Sequence, residues 1–203
     1  MKLYGASGHA KVIIGILESL DKKISKIYDD KAPFEILGYP VKRYTGDDTE
    51  NFIISIGNNQ VRKKLSQNQL QKVSFTTIIH PSAIIDKRVN IGEGSVVMPG
   101  AVINVDTQIG KHCIVNTSAS IDHECILEDY VHISPNATLC GNVKVGEGTQ
   151  IGAGAVVIPN IHIGKWTMIG AGAVIIKDVP DGATVVGNPG KVIKIKPVEN
   201  EQK

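Results

Sequence analysis

The chain has 203 residues, a formal net charge of +2, 42% hydrophobic residues and only 4% aromatic ones. That length holds one large domain or two small ones, and the charge balance gives no basis for nucleic acid or an anionic membrane surface as a main partner. No apolar run approaches the roughly 18–20 residues that cross a bilayer, and no secretory h-region is visible at the start. Cys113, Cys125 and Cys140 are odd in number and scattered, which fits reduced thiols and a cytoplasmic protein. The 21 glycines point to short strands joined by tight turns, with little room for long helices.

Residues 1–78 read as a small Rossmann-like β-α-β-α-β unit. Lys2-Leu3-Tyr4 is a short strand, followed by the loop Gly5-Ala6-Ser7-Gly8-His9. A helix follows with Ile13, Ile16, Leu17 and Leu20 at helical spacing. A second strand from Ile24 to Tyr28 ends in Asp29-Asp30, and a polar, Pro-containing stretch leads to a third strand, Phe52 to Ile56. Gly57-Asn58-Asn59 then opens a helix with Val61, Leu65 and Leu70 on one face. A glycine-rich strand-to-helix turn suits a phosphate, because backbone N–H groups and the helix dipole both point at it. An acidic pair about twenty residues on is where such folds hold a ribose or base. Gly5-x-x-Gly8 lacks the full dinucleotide pattern, so a purely structural turn stays open; the short domain suits a mononucleotide sugar better than a dinucleotide.

From Ile79, stepping by six meets Ile85, Ile91, Val97, Ile103, Ile109, Val115, Ile121, Leu127, Ile133, Leu139, Val145, Ile151, Val157, Ile163, Ile169 and Ile175. All seventeen are aliphatic, so the period is real. Four places after every third ladder position stands alanine: Ala83, Ala101, Ala119, Ala137, Ala155 and Ala173. Alanines eighteen apart mean that three hexads make one coil. Residues 79–180 then form a three-sided prism of parallel strands, roughly 27 Å tall at a strand spacing of about 4.8 Å. The residues one place after the ladder (Gly92, Asn104, Gly110, Asn116, Asp122, Gly146, Gly152 among them) tolerate positive φ and are expected at the corners. An antiparallel sandwich is excluded, since it shows period two and no alanine ladder.

Phase sorts the histidines that could carry chemistry. His123, two places after Ile121, is expected to face outward, and Gly141 lies in register one coil later. An imidazole base beside an accessible amide N–H suits acyl transfer. His132 falls at a different phase, about 16–20 Å from that edge, so a site using both histidines has to be assembled between chains. A zinc site is disfavoured, because no two of the histidines stand five residues apart as a ligand pair. Cys140 has no histidine in phase to activate it. Lys191, Lys194 and Lys196 alternate with aliphatic residues after position 181; they read either as a charged edge strand over the last coil or as a contact for an anionic CoA phosphate.

The hexad pattern resembles the left-handed β-helix, and the family supplies that handedness. The N-terminal turn, the uninterrupted coils, Ile121-Asp122-His123-Glu124 and Gly187-Asn188-Pro189 together resemble the bacterial nucleotide-sugar N-acetyltransferases of the bacillosamine and perosamine pathways, with sialic-acid O-acetyltransferases close by. The resemblance implies a sugar-nucleotide-binding domain (1–78), a β-helix holding acetyl-CoA and the catalytic base (79–180), and a C-terminal cap and tail (181–203). It implies a homotrimer with acetyl-CoA between neighbouring β-helices and no metal. Carried over residue by residue, His123 is the base and Glu124 its carboxylate partner. Gly5, Gly8 and His9 face the phosphates, Asp29 and Asp30 lie near base or ribose, and Asn116 meets the sugar. His132 and Gly141 surround the acetyl group, and Gly152, Ala153, Ala171 and Lys191 line the acetyl-CoA site. Ser7 departs from the glycine of some relatives. The expected reaction is acetylation of the amino group of a UDP- or GDP-linked 4-amino-4,6-dideoxy sugar; the alternatives are O-acetylation of a free sugar such as sialic acid and a non-catalytic scaffold.

Overall fold

The computed structural model describes residues 1–198. β1 (Lys2–Tyr4), α1 (Gly8–Ser19), β2 (Lys26–Tyr28), β3 (Phe34–Ile36), β4 (Tyr39–Lys42), β5 (Phe52–Ile54) and α2 (Asn59–Gln67) build the N-terminal unit. Its sheet runs in the order β3-β4-β2-β1-β5, parallel except where β3 folds back on β4. That hairpin is absent from the sequence reading, which shows only a polar connection there. Its two-residue turn puts both Leu37 (φ 48°) and Gly38 (φ 79°) in the left-handed region, and leucine gives no hint of that role. α1 starts at Gly8, so His9 belongs to its first turn and not to the loop before it.

Seventeen two-residue strands, β6 (Ile78–Ile79) to β22 (Val174–Ile175), then wind into a parallel β-helix with three faces. Each strand pairs with the one eighteen residues on, as in Ile103 with Ile121 and Val115 with Ile133. Backbone N–H groups donate up the column, Ile114 to the Val131 carbonyl at 2.9 Å for example. The ladder aliphatics and Ala101, Ala119, Ala137, Ala155 and Ala173 fill the interior. Ile79 is 39% exposed because no coil lies beneath the first one. Cys113 and Cys125 occupy interior positions four after the ladder, where Ser95, Thr107 and Thr149 also stand, and like them aim at a carbonyl of the next coil. Burial pushes the Cys113 thiol up to about 12 and Cys125 to about 11, so both are inert spacers.

The corners differ from the expected positions. Left-handed φ falls three places after the ladder, at Asp106, Glu124, Asn142, Asn160 and their equivalents. There it turns the N–H back toward the previous coil, as Glu124 does to the Val105 carbonyl at 3.0 Å. The glycines one place after the ladder serve close approach instead. A Cβ on Gly146 falls 2.6 Å from the Lys165 nitrogen, so coil could not stack on coil there.

Face I of the prism is formed by the strands that start at Ile78, Val96, Ile114, His132, Gln150 and Met168; β23 (Ala183–Val186) and β24 (Lys191–Ile195) extend it. β24 turns back antiparallel as an exposed edge strand carrying Lys191 and Lys194. Face II carries the strands starting at Ile84, Val102, Ser120, Thr138, Val156 and Val174, and face III those starting at Asn90, Gln108, Ile126, Lys144 and His162.

The N-terminal unit sits on face I. α1 buries Ala10, Ile13, Ile14, Ile16 and Leu17 against Leu3, Ile27 and Ile53 on one side and Ile78, Val96, Met98 and Ile114 on the other, making one core across the junction. The expected apolar face of α2 holds in part: Leu65 packs, and Leu70 beyond the helix end is buried, in the cluster of Tyr4 and Phe52, but Val61 is exposed and the residues buried within the helix are Asn59, Arg62 and Ser66. Arg62 is 1% exposed and meets no carboxylate among the described residues; it donates to the carbonyls of His112 (3.0 Å), Tyr130 (3.0 Å), Gly57 (2.9 Å) and Ile56 (3.2 Å). Burial draws its guanidinium down to about 10, which leaves it charged at neutral pH. Asn59 donates to the Gly148 carbonyl, Ser66 bonds the Tyr130 hydroxyl, and the Tyr130 ring stacks on His112. Helix and coils are therefore joined mainly by hydrogen bonds to backbone carbonyls, with Ser66 adding a bond to the Tyr130 side chain.

Two outcomes follow from this junction. Arg62→Leu leaves four carbonyls, two of them in buried bonds, without their donor, which costs about 3 kcal/mol or more in chemical denaturation and exposes N-terminal amides to exchange before those of the coils. Burial, with Arg62 close by, lowers His9 and His112 to about 4 and His132 to about 3 from the ordinary 6.5. The unfolded chain binds these protons at higher pH than the folded one, so stability is complete above about 6.5 and is lost as pH falls toward 4. Thermal midpoints measured across that window should drop, and His112→Phe should flatten the slope.

Candidate active site

Glu124 holds its left-handed corner between faces II and III, with His123 just before it. His123 Nδ1 lies 2.9 Å from Glu124 Oε2, and both side chains are about half exposed or more. An ionised carboxylate accepts only, so Nδ1 carries the proton and Nε2 presents its lone pair. The imidazole lies over Gly141: a Cβ there would fall 2.5 Å from His123 Cε1 and 2.6 Å from Nε2. Glycine at 141 is the condition for the ring to occupy this place. Among the described residues nothing accepts from the Gly141 N–H, while Cys140 and Asn142 on either side donate to Val157 and His123. Base, carboxylate and free amide thus share one edge.

The remaining sequence-derived candidates gather elsewhere. Asn116, Gly152, Ala153 and Ala171 line the edge between faces I and II, and Lys191 pairs with Val186, which lies over Gly170 on that same edge. The Ala153 and Ala171 N–H groups have no acceptor among the described residues, whereas the Gly152 N–H donates to Ile169 and a Cβ there would meet that same carbonyl oxygen at 2.5 Å. Gly152 therefore permits stacking, and its two alanine neighbours in the corners supply open donors.

His132 lies on face I beneath the N-terminal unit. It is buried, its Nε2 is 3.1 Å from Asn116 Nδ2, and its Nδ1 has no hydrogen-bond partner among the described residues. Burial is the main cause of its lowered basicity, with Arg62 and His9 adding to it and the Gly57 carbonyl opposing. His9 Nε2 is also buried, with no hydrogen-bond partner among the described residues. Gly5 (φ +108°) has no space for a Cβ against the Ile56 side chain, while Gly8 faces open space at the start of α1. Asp29 is occupied with the backbone: it accepts from Ala6 N and Lys31 N at 2.9 Å each and so ties down the Gly5–Gly8 turn. Asp30 accepts from the Tyr4 hydroxyl at 2.6 Å.

Sequence reasoning missed Arg62 and Asn59 at this junction. The available signal was a polar i, i+3 pair, Asn59 and Arg62, on a helix whose apolar residues do not form a stripe. A groove of about 980 Å³ lies on the edge between faces III and I, where Lys63 pairs with Glu147 and packs over the Trp166 ring. It is remote from His123. Among the described residues no group of three or more His, Cys, Asp and Glu side chains converges as a metal shell, and no helix is long and apolar enough to cross a membrane.

Comparison with known proteins matches these two halves. The PglD N-terminal domain family covers residues 1–69, and the bacterial transferase hexapeptide (six repeats) family covers 142–177. UDP-N-acetylbacillosamine N-acetyltransferase of Bacillus subtilis is 42% identical over 107 residues, 46% of this chain; the match spans about half (49%) of that relative's length. The structure of PerB from Caulobacter crescentus in complex with CoA and GDP-perosamine superposes with a TM-score of 0.90 at 37% identity, over 95% of this chain and 96% of that one. The acetyltransferase domain of PglB from Neisseria gonorrhoeae, in complex with acetyl coenzyme A, gives 0.88 at 36% identity over 95% and 98%. With its α/β N-terminal unit docked on a left-handed β-helix, the chain belongs to the hexapeptide-repeat family of nucleotide-sugar N-acetyltransferases.

Proposed function

We propose that the protein transfers the acetyl group of acetyl-CoA to the amino group of a nucleotide-linked 4-amino-4,6-dideoxy sugar, in bacterial surface glycan synthesis. The observation that carries this reading is the His123 imidazole, backed by Glu124, over the unpaired Gly141 N–H. The neutral amine attacks the thioester carbonyl carbon; a C–N bond forms and the carbonyl oxygen becomes an oxyanion that accepts from the Gly141 N–H. His123 Nε2 takes the proton of the nitrogen, and the Glu124 carboxylate stabilises the resulting imidazolium. Collapse breaks the C–S bond, and the leaving thiolate takes that proton from His123. The sugar's nucleotide belongs at the N-terminus of α1, where Gly5 and Gly8 keep the turn low, His9 stands in the first turn and free N–H groups suit phosphate. Asp29 acts there by fixing the turn.

Face II supports a homotrimer. Its outward strip of Ile84, Val102, Ser120, Thr138, Val156 and Val174 bears no charge, whereas face III presents Lys144 and His162. Three chains meeting through face II set the His123 edge of one beside the Asn116, Ala153 and Ala171 edge of the next, forming a cleft for acetyl-CoA with Lys191 toward its phosphates. The buried free thiols accord with a cytoplasmic location, where acetyl-CoA is made.

Free-thiol release from acetyl-CoA, assayed with UDP- and GDP-linked 4-amino sugars and with free sialic acid, tests the assignment; turnover only with sialic acid would overturn it. His123→Ala should lower kcat by about 10²–10⁴-fold while keeping assembly and CoA binding. Val156→Lys should give monomers in size-exclusion chromatography with light scattering, an unchanged far-UV spectrum and no activity; an intact trimer would exclude face II as the interface.

A further inference from the structure

On the buried side of the junction, hydrogen-bond donors and acceptors can be assigned one by one. The Thr117 N–H donates to Asn116 Oδ1 at 2.8 Å, which fixes that amide's orientation. The Asn116 nitrogen is then the atom facing His132 Nε2 at 3.1 Å, and a carboxamide nitrogen only donates. His132 Nε2 is therefore an acceptor, and the ring's proton sits on Nδ1.

We propose that His132 is a positioning residue: it accepts from Asn116 and aims the second Asn116 N–H at an oxygen of the sugar substrate, without itself touching the acetyl group. This rests on the sugar-nucleotide reading given above and names the part of that substrate Asn116 meets, a hydroxyl or ring oxygen. One N–H of Asn116 is held by the imidazole and its oxygen by Thr117, so a single directed donor remains. A ring that accepts at Nε2 has no hydrogen there for a thioester oxygen, and its Nδ1 is buried away from solvent. Burial and the nearby Arg62 and His9 keep the ring uncharged, which preserves the acceptor lone pair. A protonated His132 would repel the Asn116 N–H and turn the amide away.

Neutron diffraction of the unsubstituted protein at about neutral pH reads the hydrogen directly. Deuterium on Nδ1 and none on Nε2 is expected; deuterium on Nε2 overturns the assignment, whatever the enzyme's substrate proves to be. In thiol-release kinetics, His132→Leu and Asn116→Ala should each raise the KM for the sugar nucleotide about tenfold with the acetyl-CoA KM within about twofold. The double variant should be no worse than either single one, because the two side chains act as a unit. His132→Gln, whose side-chain oxygen also accepts, should recover most of the loss. A rise confined to the acetyl-CoA KM, or single losses that multiply in the double variant, would put His132 against the acetyl group instead. Absence of turnover in the unsubstituted enzyme counts against the function, and the neutron result still decides the tautomer.

Discussion

The strands of each coil pair in register with strands eighteen residues on, their N–H groups donating to the next coil, and that register constrains the rest of the molecule. It leaves about 4.8 Å between stacked residues, a distance at which a side chain at one level is felt at the next. Only glycine lets backbone pass backbone at Gly146, and only glycine lets an imidazole lie across Gly141. The catalytic geometry proposed for His123 is thus a by-product of coil stacking: a base and an amide one coil apart are brought together with no dedicated loop.

The same rigidity explains how a small N-terminal unit can be positioned. Face I offers a flat row of Ile78, Val96 and Ile114 to α1, and apolar contact of this kind fixes separation better than orientation. Orientation comes from directional bonds, with the Arg62 guanidinium reaching carbonyls on two coils and on its own chain segment. One of these acceptors, the Gly57 carbonyl, also lies near His132, so the residue that docks the unit stands next to the proposed sugar site. Docking and site electrostatics are linked through this one cation.

Legibility differed sharply between the two halves. The hexads were readable because seventeen equivalent positions obey one rule, and an error at any of them would have broken the count. The corners were read two residues early, since glycine marks both positive φ and close approach, and here the ladder-adjacent glycines mark the second. The His123–Gly141 pair followed from phase alone. The Asn116–His132 contact did not, because the two lie on adjacent levels of one corner and face, and a step of sixteen residues is hidden in a period of eighteen.

The sequence by itself determined the period, the inward residues, the edge that carries His123 and the coil that brings Gly141 to it, since a repeating chain has only one register that buries every aliphatic. It also determined the Gly5–Gly8 turn and the helix behind it. Only the tertiary structure decided that α2 faces the coils with Arg62 and Asn59, that Asp29 is spent on backbone N–H groups, and that His132 lies buried beneath the N-terminal unit. The α2 outcome depends on contacts between segments 50 to 90 residues apart, where a polar side chain's partners are backbone carbonyls that look alike in every sequence.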